Sequence, residues 1–208
     1  MTTSSAVLPA ISHVRRSAFL VAALLMLTGL MTISQPAPAT ADPCAAVDVS
    51  FARGRDEAPG LGRVGDAFVG ALRNKVGKMS VYAVNYSAGL LSTGEGADDL
   101  RGHLSEVAAS CPNTKLVIGG YSMGATVVND VANNPSPDIA DRIRGIATFG
   151  NIDHRGGAMT GPLAGRWIDQ CNPGDPVCQE GGRSWTAHQT YEQTNLPAQA
   201  ASFVAGKL

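Results

Sequence analysis

From Val47 onward the chain alternates two kinds of apolar run. Val47–Ala52, 81–86, Lys115–Tyr121 and 145–149 are short, rich in β-branched and aromatic residues, and predict buried strands, with 166–169 as a fifth. Between them, residues 64–76 place Val64, Phe68, Leu72 and Val76 on one helical face, and 97–109 do the same with Leu100, Leu104 and Val107. Residues 125–131 and 197–208 add two more helices, the last with Ala198, Ala201, Val204 and Leu208 at helical spacing. Strand and helix in alternation predict an α/β fold: a three-layer sandwich whose central sheet, about five strands wide, is mostly parallel. In such sheets the ligand site lies at the carboxyl ends of the strands, so the residues following each strand carry the chemistry.

The beginning of the chain follows a different pattern. His13, Arg15 and Arg16 precede a 16-residue apolar run over 18–33, then Pro36, Pro38 and Ala39-Thr40-Ala41. Charged region, apolar region and small-residue site together predict a secretion signal peptide over 1–41, leaving one compact domain over 42–208. The alternative is a membrane anchor, which needs a run of about 20 residues. Asp42 and Pro43 before Cys44 do not form a lipid-attachment pattern. The expected location is therefore extracellular, in solution or against the cell wall, without stable membrane insertion.

Composition narrows the classes further. With 44% hydrophobic and 16% charged residues and a net charge of -1, the chain is neither disordered nor fibrous. No Lys/Arg cluster suits a nucleic acid or an anionic bilayer. Residues 42–208 hold 14 basic and 17 acidic residues, net -3. They also hold all four cysteines, Cys44, Cys111, Cys171 and Cys178, an even count that in an oxidising compartment favours two disulfides. Three pairings exist. Cys171 and Cys178 bracket the tight segment Asn-Pro-Gly-Asp-Pro-Val, which makes their pairing local and leaves Cys44 for Cys111. A zinc site is the alternative, but the Cys-x6-Cys spacing without a nearby His pair does not suit one, so neither metal nor cofactor is expected.

Residues 120–124, Gly-Tyr-Ser-Met-Gly, follow one strand candidate and precede a helical run. G-x-S-x-G alone is a weak pattern, but strand, sharp turn and helix together make an elbow that presents Ser122 as a nucleophile. A serine hydroxyl needs a base to take its proton. Beyond the leader the candidates are His103, inside a helix and expected at the surface, His154, and His188 near the end of the chain. The order Ser, acid, late His favours His188. Asp175, in the Cys-bracketed segment 13 residues before His188, suits the acid that orients the imidazole, with Asp169 and Asp153 as rivals.

Phe51-Ala52-Arg53-Gly54, Gly120-Tyr121-Ser122-Met123-Gly124-Ala125 and the segment 171–178, followed by His188 and Tyr191, resemble the cutinase family, in particular its exported mycobacterial members. The resemblance spans essentially all of 44–208. It implies a lidless α/β-hydrolase-type sandwich, disulfides Cys44 to Cys111 and Cys171 to Cys178, and a Ser122, Asp175, His188 triad cleaving lipid or polyester esters in a monomer. It implies further an oxyanion hole made by the backbone N–H groups of Met123 and Arg55. The family commonly has Ser or Thr where this chain has Arg55, so a supplementary hydroxyl is lost and a guanidinium is free to meet an acidic or phosphate group. The departure leaves two other functions in view: a secreted surface or lipid-binding protein with little turnover, and a phospholipase or thioesterase using the same triad. The segment 151–166 is short for the family and predicts a more open cleft rim.

Overall fold

In the computed structural model, residues 44–156 and 161–208 are described. The signal peptide expected over 1–41 and part of the 151–166 segment lie outside them. The described strands are β1 (Val47–Ala52), β2 (Ser80–Ala83), β3 (Lys115–Tyr121), β4 (Ile143–Phe149) and β5 (Trp167–Gln170). They form one fully parallel sheet in the order β2-β1-β3-β4-β5.

Period-two alternation of the strands divides the core into two layers. Val47, Val49 and Phe51 of β1 and Val117 of β3 meet Val64, Phe68 and Leu72 of α1 (Gly62–Val76) and Ala200, Ala201 and Val204 of α6 (Leu196–Ala205). Leu116 and Ile118 of β3 point the other way, onto Leu100 and Leu104 of α2 (Thr93–Ser110) and Val127, Val128 and Val131 of α3 (Met123–Asn133). The rings of Phe51, Phe68 and Phe149 join sheet to α1 with centroids 6.0 to 6.3 Å apart. Tilted and edge-on pairs at that spacing contribute about 0.5–1.5 kcal/mol each beyond area burial. Short helices α4 (Pro137–Ala140) and α5 (Trp185–Gln189) complete the described α-helices. Among the described residues no helix is long and apolar enough to cross a membrane.

Of the boundaries that differ from the sequence pattern, two have a clear physical reason. The run 81–86 leaves the ladder after Ala83: Val84 N–H still reaches Phe51 O, but the carbonyls of Val84 and Tyr86 turn to accept from the Arg53 guanidinium, and the Tyr86 hydroxyl donates to Arg53 O. Those residues become a strut beneath the loop that follows β1. Helix α2 starts at Thr93 rather than Ala97. Gly94 and Gly96 are poor helix formers that hide its first turn, yet a Cβ on Gly96 would lie 2.9 Å from Val127 Cγ2, so the glycine is what lets α2 approach α3.

The disulfide Cys44–Cys111 joins the entry to β1 with the end of α2, with 5.6 Å between the Cα atoms. Its span of 67 residues makes it a large constraint on the unfolded chain, and the chain-entropy relation gives about 4.4 kcal/mol. Cys44→Ser/Cys111→Ser is expected to lower the unfolding free energy by up to that amount in urea titration. Ester turnover below the lowered melting temperature should stay at the wild-type level, because the bridge lies at the amino ends of the strands.

Candidate active site

The sheet order reverses between β1 and β3: the chain leaves β1 toward β2 and returns on the other side to form β3. A crevice opens at the carboxyl ends of two such strands. Arg53-Gly54-Arg55 follows β1 there, and Ser122 follows β3. Ser122 has φ 53° and ψ -114°, an unfavourable conformation for any residue with a Cβ. Its neighbours explain how it is held. The Ser122 N–H donates to Phe149 O at 2.8 Å, a Cβ on Gly120 would collide with the carbonyl of Gly124, and a Cβ on Gly124 would collide with the carbonyl of Ala52. The two glycines of the motif are therefore required by the close passage of β1, β3 and α3.

Ser122 is also the N-cap of α3, but its hydroxyl caps nothing. Instead Ser122 Oγ lies 2.9 Å from His188 Nε2, and His188 Nδ1 lies 2.8 Å from Asp175 Oδ2. Asp175 is fully buried and also accepts from the Tyr191 hydroxyl at 2.7 Å and the Val177 N–H at 2.7 Å. Burial pushes the Asp175 carboxyl up, but the hydrogen bonds from His188, Tyr191 and Val177 outweigh it and hold it below the usual carboxylate range. An ionised carboxylate only accepts, so Nδ1 carries the imidazole proton and Nε2 is left to accept from Ser122.

The structure places the imidazole by three further contacts. The Tyr121 hydroxyl donates to His188 O at 2.5 Å, the Ser184 hydroxyl caps α5 by accepting from Ala187 N–H at 3.1 Å, and Asn172 Nδ2 donates to Ala187 O at 2.8 Å. Gly150, at φ 58°, passes beneath the ring where a Cβ would sit 2.9 Å from His188 Cε1. Burial raises the Tyr191 and Tyr121 hydroxyls, most strongly Tyr191, so both remain protonated donors.

Two backbone N–H groups around Ser122 have no acceptor among the described residues. Met123 begins α3, and the first N–H groups of a helix have no acceptor within it. In the loop after β1, Gly54 N–H donates to Glu57 Oε2, Asp56 N–H to Ala88 O and Glu57 N–H to Gly54 O. Arg55 N–H alone in that stretch has no acceptor among the described residues.

Comparison with known proteins gives the family. The family model Cutinase matches residues 43–208. The chain belongs to the cutinase family. It is 44% identical over 207 residues to a Mycobacterium tuberculosis protein named "Probable carboxylesterase Culp3", covering 91% of this chain and 79% of that one. It is 40% identical over 211 residues to "Phospholipase Culp4" of the same species, covering 93% and 92%. Among solved structures, a Trichoderma reesei cutinase in complex with a phosphonate inhibitor superposes with TM-score 0.68 at 33% identity, over 79% of this chain and 77% of that one.

In this cutinase-family chain the cleft at Ser122 has a volume of about 550 Å³ and is walled by Arg55, Arg63, Tyr121, Val177 and Trp185. The rival residues lie elsewhere. His154 pairs with Asp169 at 3.0 Å, and Asp153 accepts from Asn129. Burial raises Asp169 despite bonds from Thr148, His154 and Asn151. His103, expected at the surface, is instead packed: it stacks on Tyr82 at 3.7 Å and lies 2.9 Å from the buried Asp48. Asp48 is near the amino end of β1, so His103 is at the opposite end of the sheet from Ser122. Sequence reasoning missed the work of Tyr121, whose hidden signal is an aromatic with a polar tip inside a buried strand.

The second disulfide, Cys171–Cys178, closes the loop that carries Asp175. Its short loop is worth only about 2.5 kcal/mol by chain entropy. Cys171→Ser/Cys178→Ser is expected to lose turnover at least tenfold at temperatures where circular dichroism shows the fold intact, a larger effect than that stability change implies.

Proposed function

We propose that this chain is an exported serine carboxylesterase acting as a monomer on lipid or polyester esters, with Ser122 as nucleophile, His188 as general base and acid, and Asp175 as the orienting carboxylate. The observation that carries the reading is the unbroken row from Asp175 Oδ2 through His188 to Ser122 Oγ, with steps of 2.8 and 2.9 Å, at the reversal point of the sheet. As Ser122 Oγ bonds to the acyl carbon, His188 Nε2 takes its proton, and the carbonyl oxygen gains the negative charge. The N–H groups of Arg55 and Met123 receive that oxyanion, and the positive end of α3 adds to its stabilisation. Collapse of the adduct expels the alcohol, which takes the proton from His188, and leaves Ser122 acylated. Water then repeats the sequence, with His188 removing its proton and returning it to Ser122. Two disulfides in 44–208 suit an oxidising, extracytoplasmic setting.

A second reading, hydrolysis of phospholipid esters by the same groups, is favoured by one feature. Among the described residues the Arg55 guanidinium in the cleft is paired, at 3.3 Å, only to the exposed carboxylate of Asp56, an ion pair worth little in water, so a phosphate can compete for it. Rates on matched neutral and phosphate-bearing esters in Arg55→Ser separate the two.

Ser122→Ala is expected to lower kcat by roughly 10⁴- to 10⁶-fold with the fold intact, since the triad acts as a unit. Stoichiometric labelling of the wild type by a serine-reactive phosphonate checks the same point; a variant that retains a tenth of the activity rules the reading out. Asp175→Asn is expected to cost up to about 10⁴-fold in kcat, because an amide selects the wrong imidazole tautomer. Asp169→Asn and Asp153→Asn should remain within a few-fold of wild type on a p-nitrophenyl ester.

A further inference from the structure

The loop between β1 and α1 sets the N–H of Arg55, and one carboxylate holds its shape. We propose that Glu57 is a positioning residue for ester hydrolysis, clamping the loop 54–57 to the first turn of α1 so that the Arg55 N–H is held ready for the oxyanion. The proposal rests on the serine-esterase reading above.

Glu57 reaches across the loop with both oxygens. Oε2 accepts from Gly54 N–H at 2.7 Å, while Oε1 accepts from Arg63 N–H at 3.1 Å and lies 3.5 Å from Arg63 Nε. Its side chain is 13% exposed. The space it occupies is kept open by two glycines. A Cβ on Gly62, whose φ is 71°, would collide with Glu57 Oε2, and one on Gly54 would lie 3.2 Å from that oxygen and 2.6 Å from the Tyr121 ring. The loop does not favour this shape by itself, since Asp56 has φ 59°, an uncommon conformation for a residue other than glycine. External bonds hold it: Asp56 N–H to Ala88 O at 3.1 Å and Arg53 Nε to Glu57 O at 2.8 Å.

A carboxylate serving only to cap α1 would direct its oxygens to first-turn N–H groups. Here one oxygen goes instead to Gly54, the residue before the oxyanion donor. Releasing it frees the Gly54 peptide and, with it, the Arg55 peptide that follows. Arg63 extends the same link: its other guanidinium nitrogen lies 3.6 Å from Glu192, in the segment just after His188. The donor loop and the imidazole segment are thus joined through three charged side chains, Glu57, Arg63 and Glu192.

The test uses full-length protein and the variants Glu57→Gln, Glu57→Asp and Glu57→Ala. For each, kcat and KM are measured on a p-nitrophenyl ester, together with the Ki of a trifluoromethyl ketone that forms a tetrahedral, oxyanion-bearing adduct with Ser122. Glu57→Ala is expected to lower kcat by roughly 10- to 100-fold with KM within twofold, as for partial loss of one oxyanion donor. Its Ki should rise by the same factor as kcat/KM falls, and Glu57→Gln, which keeps the shape and one acceptor, should fall between it and the wild type. Should Glu57→Ala fail to fold, the near-isosteric Glu57→Gln carries the comparison. A folded Glu57→Ala, or Glu57→Gln where Glu57→Ala does not fold, with kcat and Ki within threefold of wild type overturns the proposal, as does a loss of kcat with no matching rise in Ki. Those results, with the wild type still labelled by phosphonate, remove the clamp alone. A wild type that is neither labelled nor active removes the esterase reading itself.

Discussion

Ser122 can keep its unfavourable backbone angles only while β1, β3 and α3 press together at one point, where Gly124 lies against the carbonyl of Ala52 and Gly120 against that of Gly124. Most of what surrounds the site depends on that contact. It aligns the start of α3 with the crevice between β1 and β3, leaves the Ser122 hydroxyl outside the helix, and brings the loop after β1 within reach of the same space. Strain of about 1–3 kcal/mol at one residue is supported by two faces of a packed core, which combine the adjoining residues of β3 and α3 with residues distant in sequence such as Ala52 and Phe51.

The imidazole is controlled by a different means. A carboxylate removed from water would tend to hold its proton, and then could not orient His188 by accepting a hydrogen bond. Three donors to Asp175 reverse that tendency, one of them the hydroxyl of a tyrosine that is itself wholly buried and takes a bond from Asn172 N–H at 2.9 Å. Buried polar groups of this kind are stable only when each is satisfied. Tyr191 and Tyr121 therefore act as struts with one polar end, filling core volume between β3, β4 and α6 while their hydroxyls fix the acid and the backbone of the base.

Much of this was legible in the chain itself. The strand and helix periods gave the parallel sheet, and Gly-Tyr-Ser-Met-Gly located the elbow, because spacing of two and of 3.6 residues and a demand for absent side chains are local properties. The end of β2 was not legible, since residues 84–86 are as apolar as a strand and are drawn off it by Arg53, thirty and more positions away in the chain. His103 looked like a surface residue because it sits inside a helix beside Gly102, whereas its partner, Asp48, is a strand residue whose carboxylate points inward. Glu57 is hidden for another reason: Gly54 and Arg63 are only three and six residues away, but the irregular loop between them has no period to reveal the contact. Contacts between positions distant in sequence are what periodicity cannot carry.

The removal of residues 84–86 from the sheet affects how the molecule meets its own copies. Both edge strands, β2 and β5, are four residues long, against six or seven for the inner three. An exposed strand edge is a template for another chain to pair with, and the shorter it is the fewer ladder bonds a second molecule can gain. By taking the carbonyls of Val84 and Tyr86, Arg53 trims the β2 edge as it supports the loop above it. The same guanidinium that underlies the cleft thereby leaves the fold poorly suited to edge-to-edge aggregation.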